Sequence, residues 1–301
     1  MKILLIVNPV SGGEEKDRFM KEAEKLCRRY GIKYKAFETT GKDDREKIQR
    51  RVESFDPDRI VAVGGDGTVL LTVTAVLDTD HPVGIVPMGS ANGMAEELGV
   101  NPDPLEALKD AIMSTIVVGL DVLEFSGKKY SIHIGDVGTN ARIVEKYEKD
   151  PNRGMSVYAK YFLDEMRKNE PFEVQIETED KKITKNALMV AFCNSRKYGT
   201  GIPLTKDGNP MDGKFEIVII EDINISSMIK RGLAKFDERF LKDRNSTVIH
   251  ATEAKVSFNR KLLLQLDGEV AGEYKQLTIR IHKGGVRLIT HTGNEYLDDQ
   301  A

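Results

Sequence analysis

The 301-residue chain is 40% hydrophobic and 31% charged, enough to build one large domain or two ordinary ones with complete cores. A formal net charge of −3, with 45 Lys+Arg against 48 Asp+Glu, gives no global field for nucleic acid, which is therefore not an expected partner. The two cysteines, Cys27 and Cys193, lie far apart without metal or redox spacing, which argues against a disulfide framework and fits a reducing cytosol.

The run Ile3–Val7 is too short for a secretory signal core, and no later stretch approaches the roughly 20 apolar residues of a membrane span, so a cytoplasmic, soluble protein is expected. Ile3–Val7 instead reads as a buried strand followed by the glycine turn Asn8-Pro-Val-Ser-Gly-Gly13. A helix follows from about Glu14, with Phe19, Ala23, Leu26, Cys27 and Tyr30 at helical spacing and Gly31 at the C-cap position. Strand Lys33–Phe37 leads to the polar turn Glu38–Lys42. Ile48, Val52 and Phe55 mark a second helix, which Asp56-Pro-Asp58 breaks. Strand Ile60–Val63, a glycine turn and a helix from about Thr68 come next, then strand Val83–Val86, turn Pro87–Ser90 and a short helix Ala91–Leu98 ended by Gly99. This alternation predicts a doubly wound, mainly parallel α/β sheet, with ligands at the carboxyl ends of its strands.

From about Thr115 the pattern changes to strand-like runs separated by hairpin turns: Ile116–Phe125, Tyr130–Ile134, Phe172–Glu177, Ile183–Phe192, Phe215–Ile220, Val248–Phe258, Leu262–Leu266, Leu277–Ile281 and Val286–Thr290. Only Met155–Lys168 and Ser226–Leu241 read as helices here. The expectation is an α/β nucleotide-binding domain over 1–118 and a β-rich antiparallel sandwich or barrel over 119–301.

The chemistry centres on Ile60-Val-Ala-Val-Gly-Gly-Asp-Gly-Thr68. Glycines at 64, 65 and 67 before a helix N-terminus make an anion site, because backbone can approach closely and free N–H groups point outward. Asp66 beside phosphate oxygens would repel them unless a cation intervened, so the natural ligand is a nucleotide with magnesium. The alternative is an ordinary strand-to-helix loop. No Walker A or dinucleotide fingerprint is present, and the five histidines show neither paired metal spacing nor a serine-hydrolase elbow.

Taken with Asn8-Pro-Val-Ser-Gly12, Thr39, Pro87-Met-Gly-Ser-Ala-Asn92, Asp212-Gly213 and Asp267-Gly-Glu269, the chain resembles the diacylglycerol kinase and sphingosine kinase family, particularly its soluble bacterial lipid kinases. Two departures are evident: Leu70 and Leu71 replace the family's usual Asn and Glu after the signature threonine, and Gly93 replaces an Asp.

The resemblance implies ATP as co-substrate and Mg²⁺ as cofactor. Asn8, Pro9, Val10, Ser11, Gly12, Thr39, Gly64, Gly65, Asp66, Gly67, Thr68 and Ser90 would line the nucleotide, and Asp66 would face its magnesium. Ser90 reads equally well as a helix N-cap. By the same resemblance Asn209, Asp212 and Lys214 form a structural metal site, although Asp212-Gly213 alone reads as a plain turn. Glu269 is the implied general base, against a reading as a solvated hairpin flank. The implied acceptor is a diacylglycerol-like lipid at a membrane surface, met by a protein that is cytoplasmic or peripheral at the inner membrane. A homodimer is left open. NAD kinase, or a nucleotide-binding regulator without turnover, are the alternatives.

Overall fold

The computed structural model describes residues 1–9, 13–149, 161, 164, 165, 168, 170–198, 203–223 and 244–300. The helix expected over 226–241 lies outside these residues, and that over 155–168 is described only at 161, 164, 165 and 168, all helical.

Along the chain run β1 (Lys2–Val7), α1 (Gly13–Arg29), β2 (Lys33–Glu38), α2 (Asp44–Phe55), β3 (Arg59–Gly64), α3 (Asp66–Ala75), β4 (Val83–Pro87), α4 (Gly93–Glu97) and α5 (Pro104–Met113). They are followed by β5 (Val117–Phe125), β6 (Lys129–Ser131), β7 (Ile134–Gly138), α6 (Thr139–Lys149), β8 (Phe172–Thr178), β9 (Lys182–Ala187), β10 (Met189–Cys193), β11 (Phe215–Ile223), β12 (Arg244–Ala251), β13 (Glu253–Leu266) and β14 (Glu269–Ile289). These form two compact units: Met1–Asp121 together with Lys283–Ala301, and Val122–His282. The expectation of one cut at 118/119 does not include the return of the C-terminal segment to the first unit.

In the first unit β2, β1, β3 and β4 are parallel neighbours in that order. Helices cover both faces of such a sheet, so its strands are continuous apolar runs and Ile3, Leu4, Leu5 and Ile6 are all fully buried. On one face Ile3, Leu5 and Val7 pack with Phe19, Ala23 and Cys27 of α1 and with Leu108, Ala111 and Ile112 of α5. The helices α2 and α3 contact β1 as well and bury Ile48, Val52, Val69 and Val73. Helix α5 was not anticipated. Its start follows from Asp103, whose Oδ1 accepts the N–H groups of Leu105 and Glu106 at 2.9 Å, with Pro104 in the first turn. A fifth parallel neighbour is the end of β14, where Leu288 pairs with Val83.

The second unit is antiparallel in the order β12-β11-β10-β7-β13-β14, with β8 on β13 and β9 on β8. A register shift between Ser257 and Leu262 divides β13, so that residues 254–258 pair with β8 and residues 264–266 with β7. This bend lets one strand serve two layers. Between them Phe172, Val174 and Ile176 pack with Phe192, Phe215, Ile217 and Ile219, forming the core of a β-sandwich. The unanticipated α6 follows β7 directly.

Candidate active site

Four turns gather at the carboxyl edge of the parallel sheet because the ladder continues into them. Thr39 N–H donates to Val7 O at 2.9 Å, Asn8 N–H to Val63 O at 3.2 Å and Met88 N–H to Gly64 O at 2.9 Å. Asn8 and Thr39 are half-buried and Pro9 is exposed, while Val10, Ser11 and Gly12 lie outside the described residues. Lys16, only 7% exposed, reaches back from α1 to donate to the carbonyls of Asn8 (3.0 Å) and Pro9. Sequence reading missed it. The signal was there, since Lys16 continues the Phe19, Ala23, Cys27 stripe and so had to sit on the packed face.

The glycines of the central turn let one turn lie against another. None of Gly64, Gly65 and Gly67 has positive φ. A Cβ on Gly89 would lie 2.4 Å from Gly65 Cα, so these two turns approach backbone to backbone; one on Gly64 would meet Thr68 Oγ1 at 2.3 Å. Thr68 is accordingly 5% exposed and its N–H donates to Gly65 O, which gives it a packing role. Helix α3 begins at Asp66, two residues before the expected Thr68. The N–H groups of Asp66 and Gly67 in its first turn have no acceptor inside the helix, and with the helix dipole they form an anion-binding end.

Asp66 has partners within the fold. Its Oδ2 accepts Gly93 N–H and its Oδ1 accepts Met94 N–H, both at 3.0 Å, so it caps α4 across the gap between two turns. The cap residue by position is Asn92 in left-handed conformation (φ 52°), with no side-chain bond to its own helix. Its amide instead closes the turn onto Gly89, accepting from Gly89 N at 2.8 Å and donating to Gly89 O at 3.0 Å. Ser90 is exposed and is not the N-cap. A second internal carboxylate, Asp44, accepts from Thr40 N, Thr40 Oγ1 and Gly41 N at 2.7–2.8 Å. Burial alone would raise its pKa, but these bonds outweigh burial and hold it below the usual carboxylate value. Two of the four turns thus carry an internal anion, Asp44 and Asp66.

In the second unit Asp267 and Gly268 both have positive φ (50° and 89°) and join Leu266 to Glu269 as a two-residue hairpin, the I′ geometry that Asp-Gly favours. Asp267 pins this turn by accepting from Ser131 Oγ (2.5 Å), Ile132 N (3.0 Å), His133 N (3.2 Å) and Ile134 N (3.1 Å). Glu269 therefore starts β14 as an exposed carboxylate on a fixed turn, with exposed Val270 beside it.

Asn209 is buried, and Asp212 and Lys214 are exposed. Asp212 Oδ1 accepts Lys214 N–H at 2.8 Å, and Asn209 Oδ1 accepts Met211 N–H at 2.9 Å, so both side chains shape their own turns. Next in chain, Glu216 is 1% exposed and its Oε2 has no hydrogen-bond partner. Burial, with the negative charges of Asp212 and Asp207, pushes its pKa up to about 8. Its Oε1 lies 3.2 Å from His250 Nδ1, and the orphaned Oε2 beside Asp212 and Asp207 fits a cation. Among the described residues no three His, Cys, Asp or Glu side chains converge on one point, so backbone carbonyls would have to complete such a shell.

Comparison with known proteins bears on the family and the fold. A sequence model of the diacylglycerol kinase catalytic domain matches residues 2–124, and one described as the YegS C-terminal NAD kinase beta sandwich-like domain matches residues 133–290. The diacylglycerol kinase of Bacillus subtilis is 25% identical over 289 residues, covering 92% of this chain and 94% of its own. That of Staphylococcus haemolyticus is 23% identical over 276 residues, covering 89% and 82%. Among solved structures, a diacylglycerol kinase of Bacillus anthracis superposes with a TM-score of 0.73 at 21% identity over 97% of this chain and 98% of its own. An NAD kinase of Archaeoglobus fulgidus in complex with ATP does so with 0.57 at 14% identity over 98% and 94%. The structural likenesses are likenesses of fold, and the sequence models give the kinship: the chain belongs to the diacylglycerol kinase family, with a kinase catalytic domain followed by a YegS-type β-sandwich.

Proposed function

We propose that the protein is an ATP- and magnesium-dependent kinase that transfers the γ-phosphate to a hydroxyl of a diacylglycerol-like lipid. The observation that carries this reading is the pinned Asp267-Gly268 hairpin, which presents Glu269 as an exposed carboxylate at the start of a strand. Support for the nucleotide comes from the N-terminal end of α3 and the neighbouring turns, whose N–H groups suit a polyphosphate. Asp66 fits the nucleotide's magnesium: each of its oxygens accepts one N–H and keeps a second lone pair, and magnesium is commonly held by one or two carboxylates plus phosphate oxygens. When bound there, magnesium neutralises charge on the transferring phosphates. Asn209, Asp212 and Lys214, with Glu216 behind them, would hold a second, structural cation.

Glu269 takes the proton of the acceptor hydroxyl, a contribution of about 10²–10⁴-fold for a positioned base. Among the described residues no helix is long and apolar enough to cross a membrane, so the lipid would be met at a surface or in a micelle. The test is Glu269→Gln assayed with ATP and magnesium against diacylglycerol in mixed micelles, with NAD and water as competing acceptors. We expect kcat on the lipid to fall at least about a hundredfold with ATP affinity unchanged. A variant that keeps its kcat, or a wild-type protein that phosphorylates NAD and no lipid, refutes the reading.

A further inference from the structure

Behind the hairpin lies a buried polar chain that the proposed reaction does not yet use. Gln265, 1% exposed, accepts Gly268 N–H on its Oε1 at 2.8 Å. Its Nε2 donates to Asp136 Oδ2 and, at 3.4 Å, to Ile134 O. Asp136 is fully buried on β7, and the same Oδ2 also accepts from Tyr198 OH and from Asn140 Nδ2, each at 2.6 Å. Its other oxygen, Oδ1, has no hydrogen-bond partner.

A buried ionisable carboxylate with three side-chain donors is a costly way to fill a core, and an apolar residue at 265 would pack with less desolvation. What Gln265 holds gives it a purpose. The N–H of Gly268 belongs to the central peptide of the two-residue turn, and rotation of that peptide is what separates type I′ from type II′ hairpins. The strand ladder cannot fix it unaided, because the register shifts at this point: Leu264 pairs with Gly272 and Gln265 with Val270, leaving Ala271 as an extra residue beside Gly272 at φ 114°. Asp267 anchors the first corner of the turn through Ser131 and the backbone of 132–134, whereas the bond from Gly268 to Gln265 holds its centre.

We infer that Gln265, itself oriented by Asp136, is a positioning residue that locks the central peptide of the Asp267-Gly268 turn and so fixes the direction in which Glu269 leaves the strand. This rests on Glu269 being the base. The residues all lie within one unit, so the lock operates whatever nucleotide is bound.

The test combines Gln265→Leu and Gln265→Glu with intact Glu269 and with Glu269→Gln. Amide exchange is read over the hairpin, and kcat and ATP KM are read with diacylglycerol micelles. Gln265→Leu should speed exchange of the Gly268 amide at least about tenfold while the amides held by Asp267 stay protected, and should lower kcat about tenfold with ATP KM unchanged. In the Glu269→Gln background it should lower kcat no further, because there is then no base to aim. Gln265→Glu keeps an acceptor for Gly268 and can share a proton with Asp136, so its kcat should recover as pH is lowered. The inference is overturned if Gln265→Leu leaves kcat unchanged, or lowers it by the same factor in both backgrounds. Retention of kcat by Glu269→Gln alone overturns the base itself, a separate and distinguishable failure.

Discussion

Asp66→Asn separates two roles that a kinase motif would fold into one. If Asp66 served only a magnesium ion, the variant would be as stable as the parent in the absence of metal. Its carboxylate, however, accepts Gly93 N–H and Met94 N–H at 3.0 Å on different oxygens, so the side chain is also the cap of α4. Asparagine keeps one carbonyl acceptor and turns an NH₂ toward the other donor. One hydrogen bond to a charged acceptor is lost outright, worth about 1.5–3 kcal/mol, and the second loses its charge assistance. Because Asp66 is half-exposed, we discount the total to about 1–3 kcal/mol. At roughly 2–4 °C per kcal/mol the melting temperature should fall by about 2–12 °C. The measurement is thermal unfolding of ligand-free protein in chelator, paired with calorimetry of ATP binding with and without magnesium. Metal-dependent ATP binding should disappear in the variant. A melting temperature within about 1 °C of the parent would refute the capping role, and tight ATP binding by the parent in chelator would refute the ion.

Gly89→Ala should part the two turns by about 1 Å, since its Cβ would start 2.4 Å from Gly65 Cα; about 1–3 kcal/mol of stability and at least about tenfold in ATP affinity should be lost, and parental affinity would rule out the close approach. Asp136 predicts a pH effect. Burial raises its folded-state pKa to about 6, above the ordinary carboxylate value near 3.8. Its contribution to stability is therefore fully present below about pH 4 and is lost as pH rises toward and through about 6, amounting to about 3 kcal/mol. That slope should vanish in Asp136→Asn, as judged by denaturant unfolding across pH, and an identical slope in both proteins would exclude Asp136 as its source. Removal of divalent metal should lower the melting temperature of the parent but not of Asp212→Asn; indifference of the parent to chelator would argue against the structural cation.

Much of the fold was legible because local pattern carries it. Buried strands such as Ile3–Val7 and Ile60–Val63, each followed by a polar or glycine turn and a helix, specify a parallel sheet, and alternating Phe172, Val174 and Ile176 specify a sandwich face. Strand continuity was less legible. The run 183–192 breaks at Leu188, whereas 277–281 and 286–289 lie in one strand, because period-two alternation records which face is buried and not where a strand bends or joins its neighbour. At the site, the gathering of the turns at strand ends was readable from their order in the chain. The roles of Asp66 and Asp267 were split between sequence and structure: their turns could be found, but their N–H partners 27 and 28 residues away for Asp66, and over 130 away for Asp267, leave no local trace. Gln265 was hidden for the same reason, as an ordinary polar residue in an apolar strand.

The pairing of Leu288 with Val83 has a consequence for how the protein is made. The first unit cannot be completed as its residues leave the ribosome, because its fifth strand is encoded after the entire sandwich. Ser114 Oγ donates to Thr290 O at 2.5 Å, His291 bonds Gly99 O at 2.7 Å and Tyr296 OH reaches Glu97, so this tail closes several seams of the unit at once. Until it arrives, β4 presents an open, apolar edge of the kind that invites pairing with another chain. A fragment ending near residue 121 should accordingly associate or aggregate more readily than the full chain, and a late mutation in the tail should impair the first unit before it disturbs the sandwich.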